Sequence, residues 1–361
     1  MTDTLRLLVL PGDGIGPEIV QVAADLLQRL DRRMALGLEF VRRDIGLASL
    51  AHSGSTLPDE VDALAREADG VILGPCDTYA YPPPDKGGVN PSAALRKRLD
   101  LYANVRPSKV REGVPRLVDA VDLVVVRENT EGFYADRNMF MGSGEFMPTP
   151  DVALAVRKIT AEASRRVARA ACELAMRRRR HLTIVTKANV LKLTDGLFRR
   201  EAEAVAASFP DLTVDHVLVD AMATALVRQP AAFDVIVTTN MFGDILSNLA
   251  AEMTGGLGLA GSLNAGDGHA VAQASHGSAP DIAGRDIANP TSLILSAAML
   301  LEWLGRQRER PDLVAAADAL TRAVEATLSI PGQATRDVGG RLGTREFGAA
   351  VARALEARAP A

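Results

Sequence analysis

Short apolar runs set between longer amphipathic stretches constrain this chain more than any other feature. Residues 7–10, 71–73, 123–126, 182–185 and 235–237 are three or four residues long and apolar on both faces rather than alternating. Such runs suit strands buried in a sheet that helices cover on both sides. A helix is expected from Pro17, a favourable first-turn residue, with Ile19, Val20, Ala23, Leu26, Leu27 and Leu30 repeating at three and four. A second is expected from about 158 to 180, with Ile159, Ala163, Val167, Ala171, Leu174 and Ala175 on one face, and a third after Pro290 through Leu293, Leu295, Ala298, Leu301 and Leu304. Alternating strand and helix is the α/β pattern.

At 361 residues the chain suits one large domain or two. Its 47% hydrophobic and 24% charged residues match an ordinary globular chain. A net charge of −4 argues against a nucleic-acid or anionic-membrane surface. The longest apolar stretch, 293–301, falls short of the roughly 20 residues of a membrane span. The first residues lack the pattern of a signal peptide, so a cytoplasmic location is expected. Cys76 and Cys172 have no disulfide framework or metal-ligand spacing. Residues 135–150 break the rhythm, with Met139, Phe140, Met141, Phe146 and Met147 among Gly and Pro. They read as a surface loop or as an arm packed on a partner subunit, since those side chains are costly in water. The basic run 177–180 reads as a solvated helix end.

Several segments could carry chemistry. Gly12-Asp13-Gly14-Ile15-Gly16-Pro17 lies between a strand and a helix, but Pro17 stands where a G-x-G-x-x-G fingerprint needs its last glycine. A tight turn with its backbone near a ligand is the better reading. Arg96, Arg106 and Arg127 are candidates for a carboxylate clamp, because planar forked donors bind di- and tricarboxylates bidentately. Arg127 follows four buried apolar residues, where a guanidinium needs an anion. Asp244 and Asn248 are four apart in a helical pattern, hence on one face. Their oxygens suit Mg²⁺ or Mn²⁺, while capping and dipole stabilisation is the alternative for an Asp early in a helix. Asp220 ends another apolar run, and Lys187 follows a strand, where α/β proteins place ligands and a lysine can act as a base.

Taken together, these segments resemble the isocitrate, isopropylmalate and homoisocitrate dehydrogenases, metal-dependent β-decarboxylating enzymes. The likeness runs in order through LPGDGIGPEIV at 10–20, LRKRLDLYANVRP at 95–107, VVVRENTEGFY at 124–134, TKANVLKLTDGLF at 186–198, NMFGDILSNLAAEMTGGLGL at 240–259 and HGSAPDIAGRDIANPTSLILSAAMLL at 276–301. The resemblance implies a two-domain α/β fold, isopropylmalate-dehydrogenase-like and not a Rossmann fold, with a large mixed sheet flanked by helices. Residues 1–101 and 255–361 would form the NAD-binding domain, and 102–254 a smaller domain bearing a dimer arm near 135–150.

The same resemblance assigns roles. Arg96, Arg106 and Arg127 would clamp the malate carboxylates, and Asn90 and Ser92 would face the variable substituent. Asp244 and Asn248, with Asp220 of the partner subunit, would hold Mg²⁺ or Mn²⁺. Lys187, also of the partner subunit, would take the alcohol proton, and Tyr134 would protonate the enolate after CO₂ leaves. A homodimer with shared active sites is therefore implied. NAD would bind at His276, Gly277, Ser278, Ala279, Asp281 and Ile282, with Asn289 near the adenine and Asn189 also contributing. Asp281 matches the acidic residue of NAD-dependent members, and K⁺ is a candidate stimulatory ion.

Departures bear on the substrate. Asn248 stands where most members have Asp, Gln273 and Ser275 replace a Glu and a Val or Thr, and the loop Gly74-Pro75-Cys76-Asp77-Thr78 is unusual. Isopropylmalate enzymes carry leucines at the positions of Ser92 and Ala93, so small or polar residues there would pack an isopropyl group poorly, by about 1–3 kcal/mol. NAD-dependent oxidation of an isocitrate-like or homoisocitrate-like malate is the expectation. The alternatives are 3-isopropylmalate oxidation, D-malate or tartrate oxidation, and a silent regulatory subunit; the last is disfavoured because Tyr134, Lys187, Asp220 and Asp244 are all present.

Overall fold

A computed structural model describes residues 4–134 and 138–357. Twelve strands occur among them: β1 (Leu5–Leu10), β2 (Leu38–Arg42), β3 (Gly70–Leu73), β4 (Ala103–Lys109), β5 (Asp122–Glu128), β6 (Glu145–Thr149), β7 (Val152–Ala155), β8 (His181–Thr186), β9 (Thr213–Leu218), β10 (Val235–Thr238), β11 (Leu263–Ala265) and β12 (Ala270–Gln273). The chain divides into two compact units.

The first unit comprises Met1–Leu99, Val110–Leu117 and Thr254–Ala361. Its strands run β2-β1-β3-β12-β11. Neighbours are parallel except β11, which is antiparallel to β12. The helix Gly16–Met34 begins with Pro17 and Glu18 and ends with Arg32 and Arg33, so both termini complement the dipole. Its buried Ile19, Val20, Ala23, Leu26, Leu27 and Leu30 join one core with Leu293, Leu301 and Leu304 of the helix Thr291–Gln307 and with Phe347. A continuous second domain over 102–254 was expected, but 110–117 belongs with the first unit. Val114 is buried in that core, and Arg111 donates to the Leu259 carbonyl. The boundary also falls at 99/100 rather than 101/102.

The second unit comprises Asp100–Lys109 and Val118–Met253. Its strands run β4-β5-β10-β8-β9, with β4 antiparallel to β5 and the rest parallel. Val124, Val126, Leu182, Ile184, Val235 and Val237 pack with Val167, Ala171, Cys172, Ala175 and Phe198. The helix expected over 158–180 is shorter, Ala161–Met176, because Thr160 caps it by accepting from the Ala163 N–H. In the basic run beyond it Arg177, Arg179 and Arg180 are exposed at the helix end, as expected, but Arg178 is half-buried. Arg178 is paired with Asp122 and with the buried Asp234, each at 2.7 Å. Of residues 135–150, 135–137 lie outside the described residues; further on, β6 and β7 form an exposed antiparallel ribbon. Both units are therefore mixed-sheet α/β structures with helices against their sheets.

Candidate active site

The glycine-rich turn after β1 is shaped by the protein's own backbone. A Cβ at Gly12 would lie 2.2 Å from the Pro75 carbonyl oxygen, and one at Gly14 2.0 Å from that of Ser278; both residues have positive φ. The Asp13 N–H donates to Pro75 and the Ile15 N–H to Ser278, so the turn is laced to both loops. Asp13 itself is buried and accepts from the Leu47 N–H, the Asp77 N–H and the Tyr81 hydroxyl at 2.7, 2.9 and 2.5 Å. The unusual loop at 74–78 is thereby fastened. Burial, and then the Asp13 charge, push the Cys76 thiol up to about 12, which leaves it protonated and unsuited to nucleophilic work.

In the second unit Arg127 leaves the end of β5 into a buried position, its side chain only 3% exposed. Asn240 takes its Nε and Nη2 hydrogens on one amide oxygen at 2.9 and 2.7 Å. The Asn240 amide nitrogen donates to the Glu131 carbonyl, which fixes the orientation of that amide. Gly243 lets the helix Asn240–Met253 lie against the stem of Arg127, because a Cβ there would come within 2.6 Å of it. Asp244 accepts from Arg127 at 2.5 Å, from Arg106 at 2.9 Å and from the Tyr134 hydroxyl at 2.7 Å. Burial lowers the Arg106 pKa, while Asp244 and then Tyr134 oppose that shift.

Asp244 is the fifth residue of its helix, beyond the first turn, so the capping alternative falls away. Arg106 Nη1 also reaches Asn248 Oδ1 at 3.2 Å and Ser247 Oγ at 2.9 Å. One cationic nitrogen thus already sits between Asp244 Oδ1 and Asn248 Oδ1, a donor set of hard oxygens that fits a divalent cation. Lys187 Nζ and Asp220 Oδ1 meet each other at 2.7 Å, and the lysine holds the Asp220 carboxylate below its ordinary pKa. Asp220 is the second residue of the helix Val219–Arg228 rather than a strand end. Among the described residues neither Lys187 nor Asp220 is a hydrogen-bond partner of Asp244, and no group of three or more His, Cys, Asp or Glu could hold a metal. Asn189 is exposed on the loop after β8.

The remaining predicted residues lie in the first unit. Ser92 and Arg96 share the helix Pro91–Arg98, and both donate to Gln273 Oε1, at 2.9 and 3.3 Å. The Asn90 side-chain oxygen caps this helix by accepting from the Ala93 N–H, so that oxygen is occupied. On the loop at 276–284, Ala279 is left-handed and Asp281 is exposed in a short turn of helix. His276 Nε2 is buried with no hydrogen-bond partner among the described residues, and burial lowers the ring's pKa. An orphaned polar atom on this loop is consistent with a cofactor contact. Asn289 is nearly buried and fixed on both sides, donating to Asp337 and accepting from the Thr291 N–H, each at 3.0 Å. Asn240, Asp337 and the Gln273 contact were missed from sequence. Only the NMFGD match could have drawn attention to Asn240.

A carboxylate set among two arginines and a tyrosine in a mixed-sheet α/β unit suits an enzyme that handles acidic substrates. The isocitrate/isopropylmalate dehydrogenase family model matches residues 6–351. A 3-isopropylmalate dehydrogenase of Methanothermobacter thermautotrophicus is 42% identical over 98% of this chain and 99% of its own length. An isocitrate/homoisocitrate dehydrogenase of Thermus thermophilus is 44% identical over 97% and 98%. The crystal structure of isocitrate dehydrogenase from Methylococcus capsulatus superposes with a TM-score of 0.85 at 37% identity, covering 98% of this chain and 99% of that one. The chain belongs to this family and is a decarboxylating hydroxyacid dehydrogenase. Family enzymes act on small hydroxy acids with NAD and a divalent metal. No helix of the described residues is long and apolar enough to cross a membrane.

Proposed function

We propose that the chain oxidises and decarboxylates a 3-substituted malate with NAD and Mg²⁺ or Mn²⁺, the substituent being small or polar as in isocitrate or homoisocitrate. The observation that carries this reading is the convergence of Arg106, Arg127 and Tyr134 on Asp244, with Asn248 one turn away. Arg96, Arg106 and Arg127 hold substrate carboxylates. Lys187 takes the alcohol proton as the carbinol carbon loses hydride, and Tyr134 returns a proton to the enolate carbon after CO₂ leaves. Bound NAD supplies the hydride acceptor, and a cation held by Asp244 and Asn248 supplies positive charge for the developing enolate. The exposed Asp281 carboxylate suits ribose hydroxyls and opposes a 2′-phosphate, which favours NAD.

Lys187 and Asp220 pair with each other and not with Asp244, which favours their service in the site of a second copy. The exposed Phe146, Met147, Val152 and Leu154 of the ribbon, with Ile245 and Val227, are apolar surface for that contact. For the substituent, Ser92 tied to Gln273 leaves a polar wall in place of an aliphatic one. The name of the Methanothermobacter relative favours 3-isopropylmalate as the second reading. The test is NADH formation with Mn²⁺ across isocitrate, homoisocitrate, 3-isopropylmalate, D-malate and tartrate. Highest kcat/KM on isopropylmalate would refute the polar-substituent reading.

A further inference from the structure

Arg157 follows the ribbon strand β7 and turns its side chain inward, leaving it 7% exposed. Its Nη1 pairs with Asp195 Oδ1 at 2.5 Å and donates to Thr194 Oγ1 at 3.0 Å, and its Nη2 donates to Thr239 Oγ1 at 3.1 Å. The guanidinium also lies over the rings of Phe133 and Phe242, 5.0 and 5.3 Å from their centroids. Each of these contacts is one short step from a group already described. Phe133 precedes Tyr134. Thr239 and Phe242 flank Asn240, which orients Arg127, and lead into Asp244. The second oxygen of Asp195 accepts the Lys187 backbone N–H at 2.5 Å, so it anchors the start of the loop that carries the lysine.

We infer that Arg157 is a positioning residue that locks the Tyr134–Asp244 groups and the Lys187 loop into one arrangement. A planar, five-donor fork can serve both sides at once, which a single-point cation cannot. Asp195 is fully buried, so losing Arg157 leaves a buried carboxylate without its counter-charge and loosens its hold on Lys187. The inference rests on the proposed function, in which Tyr134 and Asp244 serve one active site of a dimer while Lys187 of the same chain serves the other. Arg157 then ties two active sites together through a single chain.

A heterodimer with one complete site separates these ideas. Chains carrying Lys187→Ala and Tyr134→Phe, differently tagged and coexpressed, form one site from intact groups and one from both substitutions. Activity well above that of either parent homodimer tests the shared site itself. Arg157→Met is then placed first in the chain that gives the intact Tyr134, and next in the chain that gives the intact Lys187. In either placement kcat is expected to fall about 10- to 100-fold, with the KM for NAD kept within about twofold.

Arg157→Lys keeps a charge for Asp195 but lacks the second arm for Thr239. It is expected to restore the rate in the Lys187-giving chain and not in the Tyr134-giving chain, a split that general loss of folding cannot produce. Should the Met variant not fold, the Lys variant carries the test alone. An active heterodimer indifferent to Arg157, or equal rescue in both placements, would overturn the inference. A dead unsubstituted heterodimer would overturn the shared-site reading and the tie with it.

Discussion

Replacing Asn248 by Asp adds one negative charge to the candidate cation site without lengthening the side chain. Asp244 Oδ1 and Asn248 Oδ1 both lie within 3.2 Å of one Arg106 nitrogen, so the new carboxylate would face the same point as Asp244. At a separation of about 4 Å in a water-like dielectric, which suits the exposed position of Asn248, attraction to a dication is about 2 kcal/mol and repulsion from Asp244 about 1 kcal/mol. That repulsion is present with and without the cation and cancels from the binding free energy, so the attraction of about 2 kcal/mol corresponds to roughly 30-fold tighter binding, and salt should shrink it. Calorimetric titration of Mn²⁺ into substrate-free enzyme reads that change directly, and NADH formation against Mn²⁺ concentration reads it in turnover. Unchanged or weaker Mn²⁺ affinity would refute the reasoning. A raised substrate KM at unchanged Mn²⁺ affinity would show that position 248 serves Arg106 instead.

Lys187→Ala should abolish oxidation while leaving NAD affinity, measured by fluorescence titration, within about twofold of wild type; parallel loss of both would make Lys187 structural. Gln273→Glu places a carboxylate where Arg96 now donates to an amide oxygen at 3.3 Å. The new ion pair should compete for the guanidinium and raise the substrate KM about tenfold, and an unchanged KM would remove Arg96 from the clamp. Glu131 is buried, and burial, reinforced by Glu128, raises its pKa from 4.5 to about 7. The folded state therefore holds this proton more tightly than the unfolded chain, so its stabilising effect is full below about 4.5 and lost as pH rises through 7. The loss is up to about 3 kcal/mol. Glu131→Gln should reduce the pH slope of urea-unfolding stability between pH 5 and 7, Glu128 being a second carboxyl raised by burial that the substitution leaves in place, and an unaltered slope would contradict the assignment.

All five apolar runs are strands, because each sits with both faces covered and its sequence has no choice but to be apolar. The strands without that signature were not legible. β2 and β9 lie at sheet edges with half-exposed residues, and β4 carries Pro107, which usually argues against a paired strand. β11 and β12 read LNA and AVAQ, short of the β-branched apolar residues that mark the other strands. The site divides in a similar way. Arg127 announces itself as a cation at the end of a buried run, and Asp244 and Asn248 by a four-residue spacing. Partners such as Asn240, Gln273 and Asp195 meet their targets only through tertiary approach. Arg178 was misread for that reason, its buried anion Asp234 being 56 residues away.

The turn at Gly12 and Gly14 carries a lesson for anyone redesigning cofactor preference. One strand end touches the loop at 74–78 with one glycine and the loop at 276–284 with another, leaving no volume at either contact. If NAD binds as proposed, substitutions at the exposed Asp281 would alter what the adenosine meets while leaving that seam alone. Grafts that shift the Ser278 carbonyl would not, since the displacement would be handed through two residues of turn to Pro75 and the Cys76 loop. Cofactor engineering in this chain thus has a permissive outer rim and a rigid inner edge, and swaps should be cut on the Asp281 side of Ser278.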